Sequence, residues 1–226
     1  MLSWIAAVIL VLVLALILTQ FRPSGTREIT NGVYAVNCGM VNFYAITTSD
    51  GIVLFDTGIN PALAERGLRK LGLSPQNVRH VFLTHTDFDH TGGLSAFPSA
   101  AVYISKAEEQ MINGTTPRRG FMHNKLHTKY RALEDGETLT IGGASITARL
   151  APGHTPGSTV YIVNGNIMVS GDLMRKTQTG ATKPFFWLMN KDHGRNVRSV
   201  ENMRAFADTA DYVLTGHSGV IERAAG

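Results

Sequence analysis

The segment Thr84-His85-Thr86-Asp87-Phe88-Asp89-His90 sets the tightest limit on what this chain can fold into, because it places two imidazoles and two carboxylates within six residues. Asp87 and Asp89 repel each other at this spacing, and a divalent cation would relieve the repulsion. Imidazole nitrogen and carboxylate oxygen both suit a borderline or hard cation. The alternative is a solvated turn in which Asp89 or Thr91 caps a short helix ahead of Gly92 and Gly93. Residues 78–84 read as a strand buried on both faces, and the ends of such strands are where a rigid scaffold presents chemistry.

Three later segments repeat that arrangement. Pro152-Gly153-His154-Thr155-Pro156-Gly157-Ser158 holds a histidine in a loop fixed by glycine and proline, Ser170-Gly171-Asp172 ends an apolar strand on a carboxylate, and Leu214-Thr215-Gly216-His217-Ser218-Gly219 ends another on a histidine. Each ligand candidate follows a strand, so all could converge on one sheet edge. Further strands are expected at 33–36, 41–46, 52–55, 102–104 and 159–163, with a hairpin of 138–141 and 145–150 about Gly142-Gly143 and a turn at Asn164-Gly165-Asn166. Helices are expected at 61–71, 106–112 and 197–207. Hydrophobic residues make up 44% and charged residues 17%, which is enough to build a packed core. Strands with helices interposed predict an α+β chain with two sheets face to face and helices outside. The single cysteine, Cys38, excludes an intramolecular disulfide and a thiolate metal cluster, and reads as a small packed residue. The net charge of +4 is not gathered into one run, so no nucleic-acid partner is expected.

The N-terminus is of another kind. No charged side chain occurs before Arg22, and the uncharged stretch 1–21 just reaches the roughly 20 residues a membrane span needs. It lacks the basic start and the small-x-small cleavage site of a signal peptide. The expectation is therefore an uncleaved, single-pass anchor over 1–21, then a linker over 22–29 and one domain over 30–226. A cleaved signal and a buried core helix are the alternatives. Arg22 and Arg27 after the span favour a cytoplasmic domain, but two charges leave the side of the membrane undetermined.

The ordered run HTDFDH, PGHTPGS, GD and TGHSG, preceded by GIVLFDTG, resembles the metallo-β-lactamase superfamily over roughly residues 30–220. The resemblance implies an αββα sandwich with metal ions in a cleft at one sheet edge. It also implies two divalent ions, one on His85, Asp87 and His154 and the other on Asp89, His90 and His217, with Asp172 bridging. Asp87 departs from the family pattern, which has a second histidine there. That change keeps zinc open, as the family's usual ion, and admits iron or manganese. It also admits a weakened first site with one ion bound. Asp56 reads as orienting a ligand imidazole through its other nitrogen, or as capping the turn after it.

The function implied is that of a membrane-tethered metal-dependent hydrolase. A metal-held water would attack an ester, thioester, lactone or related bond of a small-molecule substrate, and Asp89 would be the catalytic proton acceptor. The alternatives are an iron-dependent oxidoreductase of the same fold and a non-catalytic metal-binding protein. Residues 114–131, with Arg118, Arg119, His123, Lys125, His127, Lys129 and Arg131, read as a solvated basic loop or as a rim attracting anions. Residues 185–189 (FFWLM) read as core packing, with a pocket wall or a membrane-facing loop as the alternative. His80 and His193 read as ordinary packing or surface histidines.

Overall fold

The structure is a computed structural model that describes residues 21–223 together with Trp4, Ala7, Val8 and Val11. The expected anchor over 1–21 lies almost wholly outside the described residues. Among the described residues no helix is long and apolar enough to cross a membrane.

Strands β1 (Arg27–Thr30), β2 (Val33–Asn37), β3 (Asn42–Thr48) and β4 (Gly51–Phe55) form an antiparallel meander. Parallel strands β5 (Val78–Phe82), β6 (Ala101–Ser105) and β7 (Arg131–Leu133) extend it into a seven-stranded sheet in sequential order. The second sheet has six strands in the order β15-β14-β11-β10-β9-β8. These are β8 (Thr138–Ile141), β9 (Ala144–Leu150), β10 (Thr159–Val163), β11 (Ile167–Gly171), β14 (Tyr212–Thr215) and β15 (Gly219–Glu222). A small ribbon, β12 (Met174–Lys176) with β13 (Thr182–Pro184), stands apart.

Side-chain alternation explains why these strands form layers. In β4, Val53 and Phe55 enter the cluster between the sheets, where they meet Phe82, Ile146, Tyr161 and Val169. Ile52 and Leu54 point the other way, into a cluster with Ala64 and Leu68 of helix α1 (Pro61–Lys70). In the second sheet Val169 and Leu214 face inward, while Met168 and Val213 pack with Val200 and Ala207 of helix α4 (His193–Thr209). Period-two alternation with both faces apolar can be satisfied only by covering both faces. The result is the expected αββα sandwich. Each large side chain buried this way contributes roughly 1.5–3 kcal/mol relative to exposure.

Several boundaries differ from the sequence expectation. Helix α4 starts at His193, because the Asp192 side chain accepts from Arg195 N and caps it four residues ahead of the expected start. The segment expected as a helix over 106–112 is a 3-10 turn (Lys106–Glu108) running into one α-helical turn, α3 (Glu109–Ile112). Strand β1 begins at Arg27, within the segment read as a linker.

Parallel pairing sends chain ends the same way. β4 and β5 are parallel in the first sheet, and β11 and β14 are parallel in the second. Their C-terminal ends lead to Asp56, His85, Asp172 and His217, all along one edge of the sandwich. That edge is tied across the sheets by Tyr161 Oη donating to Leu83 O (2.8 Å), Tyr44 Oη to Thr215 O (2.7 Å) and Thr159 N to Thr84 O (2.8 Å).

Candidate metal centre

All seven residues singled out in the sequence, His85, Asp87, Asp89, His90, His154, Asp172 and His217, meet at this edge. Their ligand atoms fall into three overlapping groups, each within 4.8 Å: His85, Asp87 and His154; His85, His90 and Asp172; Asp89, His90 and His217. His85 follows the end of β5, Asp87 is the N-cap of the short helix α2 (Phe88–Thr91), and Asp89 and His90 lie on that helix. His217 requires the glycine before it: a Cβ on Gly216 would stand 2.4 Å from Asp172 Oδ1 and 2.9 Å from His90 Cε1.

The four imidazoles are held alike. His217 Nδ1 lies 2.6 Å from the Met40 carbonyl, which can only accept, so Nδ1 carries the hydrogen. His90 Nδ1 donates to Asp56 Oδ2 (2.8 Å) in the same way. Thr84 Oγ1 gives its hydrogen to Asp56 Oδ2 (2.8 Å) and accepts from His85 Nδ1 (2.9 Å). His154 Nδ1 faces Asn190 Oδ1 at 3.2 Å. All four Nε2 lone pairs are thereby turned to the centre, the tautomer that metal-ligating histidines need. Asp56 reaches two of the four rings, and it does so from a left-handed backbone (φ 63°), a conformation that costs energy outside glycine.

The spacing of the inward atoms suits a cation. His217 Nε2 stands 3.1 Å from Asp89 Oδ2 and 3.2 Å from Asp172 Oδ2, and His90 Nε2 stands 3.4 Å from Asp172 Oδ1. Two ligands about 2.1 Å from a shared tetrahedral ion are about 3.4 Å apart. Among the described residues, His85 Nε2, His90 Nε2 and Asp172 Oδ1 are buried without any hydrogen-bond partner, a costly state that a bound cation would remove. The donor set therefore fits a divalent ion.

The electrostatics point the same way. Burial opposes charge on His90, yet the carboxylates of Asp172, Asp56 and Asp89 raise its pKa well above the ordinary value. Burial likewise opposes charge on His217, but Asp172 and Asp89 lift its pKa to about 10. Asp89 drops to about 2 despite burial, under the pull of His90 and His217, and Asp172 falls well below the usual carboxylate range for similar reasons. His85 is pushed well down, by burial first and then by His90. The carboxylates thus favour positive charge among them, which a divalent ion would supply.

Several residues that shape the centre were not singled out in the sequence. Glu108 is fully buried. Its Oε1 accepts from Thr86 N (2.9 Å) and Thr86 Oγ1 (2.7 Å), and its Oε2 accepts from Thr155 Oγ1 (2.7 Å) and Gly157 N (3.0 Å). One carboxylate therefore clamps the His85–Asp87 segment to the His154 loop. Nothing marks it in the sequence, where it is one of two adjacent glutamates. Phe185 stacks on His217 (5.4 Å, 23°) and meets His154 edge-on, while Phe21 meets His217 edge-on at 4.8 Å.

Two sequence readings need correction. Of residues 185–189 only Phe185 is core; Trp187 is 61% exposed, on a 3-10 turn (Trp187–Met189) whose neighbouring carbonyls are taken by arginines. The basic insert is neither wholly solvated nor simply a rim, because Arg118 turns inward and pairs with Asp87 (2.8 Å). His123 and His127 are exposed and lie outside the centre, His80 bonds Tyr103 Oη (3.1 Å), and His193 bonds Asn190 (3.0 Å).

A family profile described as "Metallo-beta-lactamase superfamily" matches residues 36–217. A probable metallo-hydrolase of Mycobacterium tuberculosis is 28% identical over 179 residues, 58% of each chain, so the chain spans 58% of that relative's length. An N-acyl homoserine lactonase of Rhizobium johnstonii is 26% identical over 216 residues, 78% of this chain and 81% of the other. Among solved structures, a B3 metallo-beta-lactamase with an active-site glutamic acid superposes with a TM-score of 0.64 at 25% identity, covering 88% of this chain and 80% of that one.

Proposed function

The chain belongs to the metallo-beta-lactamase superfamily, and on that premise we propose that it is a metal-dependent hydrolase of a carboxylic ester, thioester or lactone. The observation that carries this reading is the set of buried, partnerless ligand atoms on His85, His90 and Asp172 at the mouth-side edge of the sandwich. Asp89, His90, His217 and Asp172 would hold a divalent ion, with zinc the first expectation from the family and His85 oriented toward the same space. Bound there, the ion would lower the pKa of a water ligand toward neutrality and polarise the scissile carbonyl.

The protein's own groups have separable parts. Asp56 fixes His90 directly and His85 through Thr84. Asp89, the most exposed carboxylate of the centre at 34%, is ionised at neutral pH and can accept a hydrogen bond from the attacking water. Phe185 and Phe21 wall off the His217 side and exclude solvent there. The redox alternative depends on an oxygen-rich first ligand group. Arg118 and Asn124 both donate to Asp87, which makes that group a poorer set of oxygen ligands and favours hydrolysis.

Positive charge beside the His217 segment supports an anionic substrate. A cleft of about 570 Å³ beside Ser218, next to His217, is lined by Arg22, Arg175, Lys176 and Lys183 with no carboxylate among its lining residues. The uncharged run 1–21 ends at Phe21, on the wall of the centre, which supports membrane attachment with the mouth near the lipid. The test is turnover of the metal-loaded protein on a panel of esters, thioesters and lactones, each in neutral and anionic form. Turnover that is lost in Asp172→Ala, with the anionic forms preferred, is expected; no turnover on any member by fully loaded protein would overturn the proposal.

A further inference from the structure

The two ligand groups are not equivalent. In the first, Arg118 Nε lies 2.8 and 2.9 Å from Asp87 Oδ1 and Oδ2, and Nη2 lies 2.8 Å from Oδ2. Asn124 Nδ2 adds a fourth contact, 2.9 Å to Oδ1. A carboxylate offers about four lone-pair positions, and these donors take up about three of them. The remaining one, on Oδ2, faces His154 Nε2 at 3.1 Å. That nitrogen is itself 3.2 Å from Arg118 Nη2. One guanidinium thus binds Asp87 and stands against His154 Nε2, covering two of the three ligand atoms of the His85, Asp87 and His154 group.

The arginine is built in rather than drifting at the surface. Its side chain is 10% exposed, and Nη2 also donates to Met189 O (2.8 Å). Its backbone is fixed by a turn in which Arg118 N donates to Met122 O (2.7 Å) and Met122 N to Arg119 O (2.8 Å). The turn is pinned to the opposite loop by Arg119 Nη2 on Leu188 O (2.6 Å) and Lys191 Nζ on Pro117 O (2.6 Å). A guanidinium cannot lose its proton at any working pH, so its charge stays beside the first group whatever else binds.

The other side is open. Among the described residues no lysine or arginine is ion-paired with Asp89 or Asp172. Among the described residues His90 Nε2 and Asp172 Oδ1 have no hydrogen-bond partner, and His85 Nε2, also without one, shares a ligand group with them.

We propose that the chain carries one divalent ion, on the side of Asp89, His90, His217 and Asp172, and that Arg118 is the resident second cation that closes the His85, Asp87 and His154 group. The inference rests on the metal-dependent reading above. Arg118 occupies lone pairs that a second ion would need, and its charge repels that ion at short range. The arginine supplies a fixed positive charge next to the mouth, where the family pattern would place a metal.

The experiment is a count of bound zinc. Metal-stripped full-length protein is titrated with zinc chloride and followed by native mass spectrometry, with elemental analysis after dialysis. One tight equivalent is expected, with any second weaker by about 100-fold or more, given a like charge at that distance. Arg118→Met, which keeps an unbranched stem and removes the guanidinium, should tighten the second equivalent about tenfold or more. Arg118→Lys, which keeps the charge, should remain at one tight equivalent. Two equivalents of similar affinity in the unmodified chain would overturn the inference and leave the hydrolase proposal standing, and that count decides even where Arg118→Met does not fold. Unaltered second-site affinity in folded Arg118→Met would also overturn it. No zinc bound at all would overturn the metal-dependent reading itself.

Discussion

The centre depends on how single side chains are held as much as on which ligands are present. Glu108 touches no ligand atom, yet its two oxygens accept four hydrogen bonds from the segments carrying His85, Asp87 and His154. Burial raises its pKa, against the pull of Thr155 and Thr86, so it is an expensive group to keep. Glu108→Gln preserves the shape but turns an amide NH2 toward donors. It should destabilise the fold by about 3 kcal/mol, read by urea denaturation, and weaken zinc binding. Protonation gives a second prediction. Asp89 falls from 3.8 unfolded to about 2 folded, so its stabilisation is present above 3.8 and lost as pH falls through about 2. His217 rises from 6.5 to about 10, so its stabilisation is complete below 6.5 and lost as pH climbs through about 10. Thermal melts in chelator should therefore show a maximum between about pH 4 and 6.5 and a decline toward pH 10. Zinc should flatten the alkaline limb by replacing the proton; a flat profile without zinc would count against this charge arrangement.

At the scale of elements, parallel pairing of β4 with β5 and of β11 with β14 sends four chain ends to one edge. The His154 loop joins them because Gly157 lies flat against the backbone at Glu108, where a Cβ would stand 2.1 Å from Glu108 N. Gly157→Ala should cost about 3 kcal/mol or more and lower zinc affinity, measured by denaturation and zinc titration on the same sample; an unchanged melt would show that the loop can move. Much of this level was legible in advance. The apolar strands 52–55, 78–84 and 167–170 carry their own signal, and Asp56, the His85–His90 segment and Asp172 follow them in turn. The short elements were not legible: β1, β7, β12 and β13 are three or four residues long, and their pairing is decided by neighbours distant in sequence. Arg118 was misread for the same reason. Its partner Asp87 is 31 residues away, and a basic loop gives no sign of which arginine turns inward.

For the whole molecule, the sandwich provides the edge, and Phe21 and Arg22 stand beside it. The ring of Phe21 meets His217 and Phe185 edge-on, and Arg22 N donates to His217 O (2.7 Å). On the proposed attachment through the uncharged run 1–21, full-length protein should partition with membranes and resist an alkaline carbonate wash, whereas a chain starting at residue 21 should not. Recovery of the full-length chain in the wash supernatant would remove the membrane proposal while leaving the metal centre untouched.

The central claim is that side chains from position 85 to position 217 enclose a divalent ion, and anomalous diffraction from crystals grown with zinc tests it most directly. One strong peak is expected about 2.0–2.2 Å from His90 Nε2, His217 Nε2 and a carboxylate oxygen of Asp89 or Asp172. No peak at that edge, with those imidazoles turned away from one another, would contradict it.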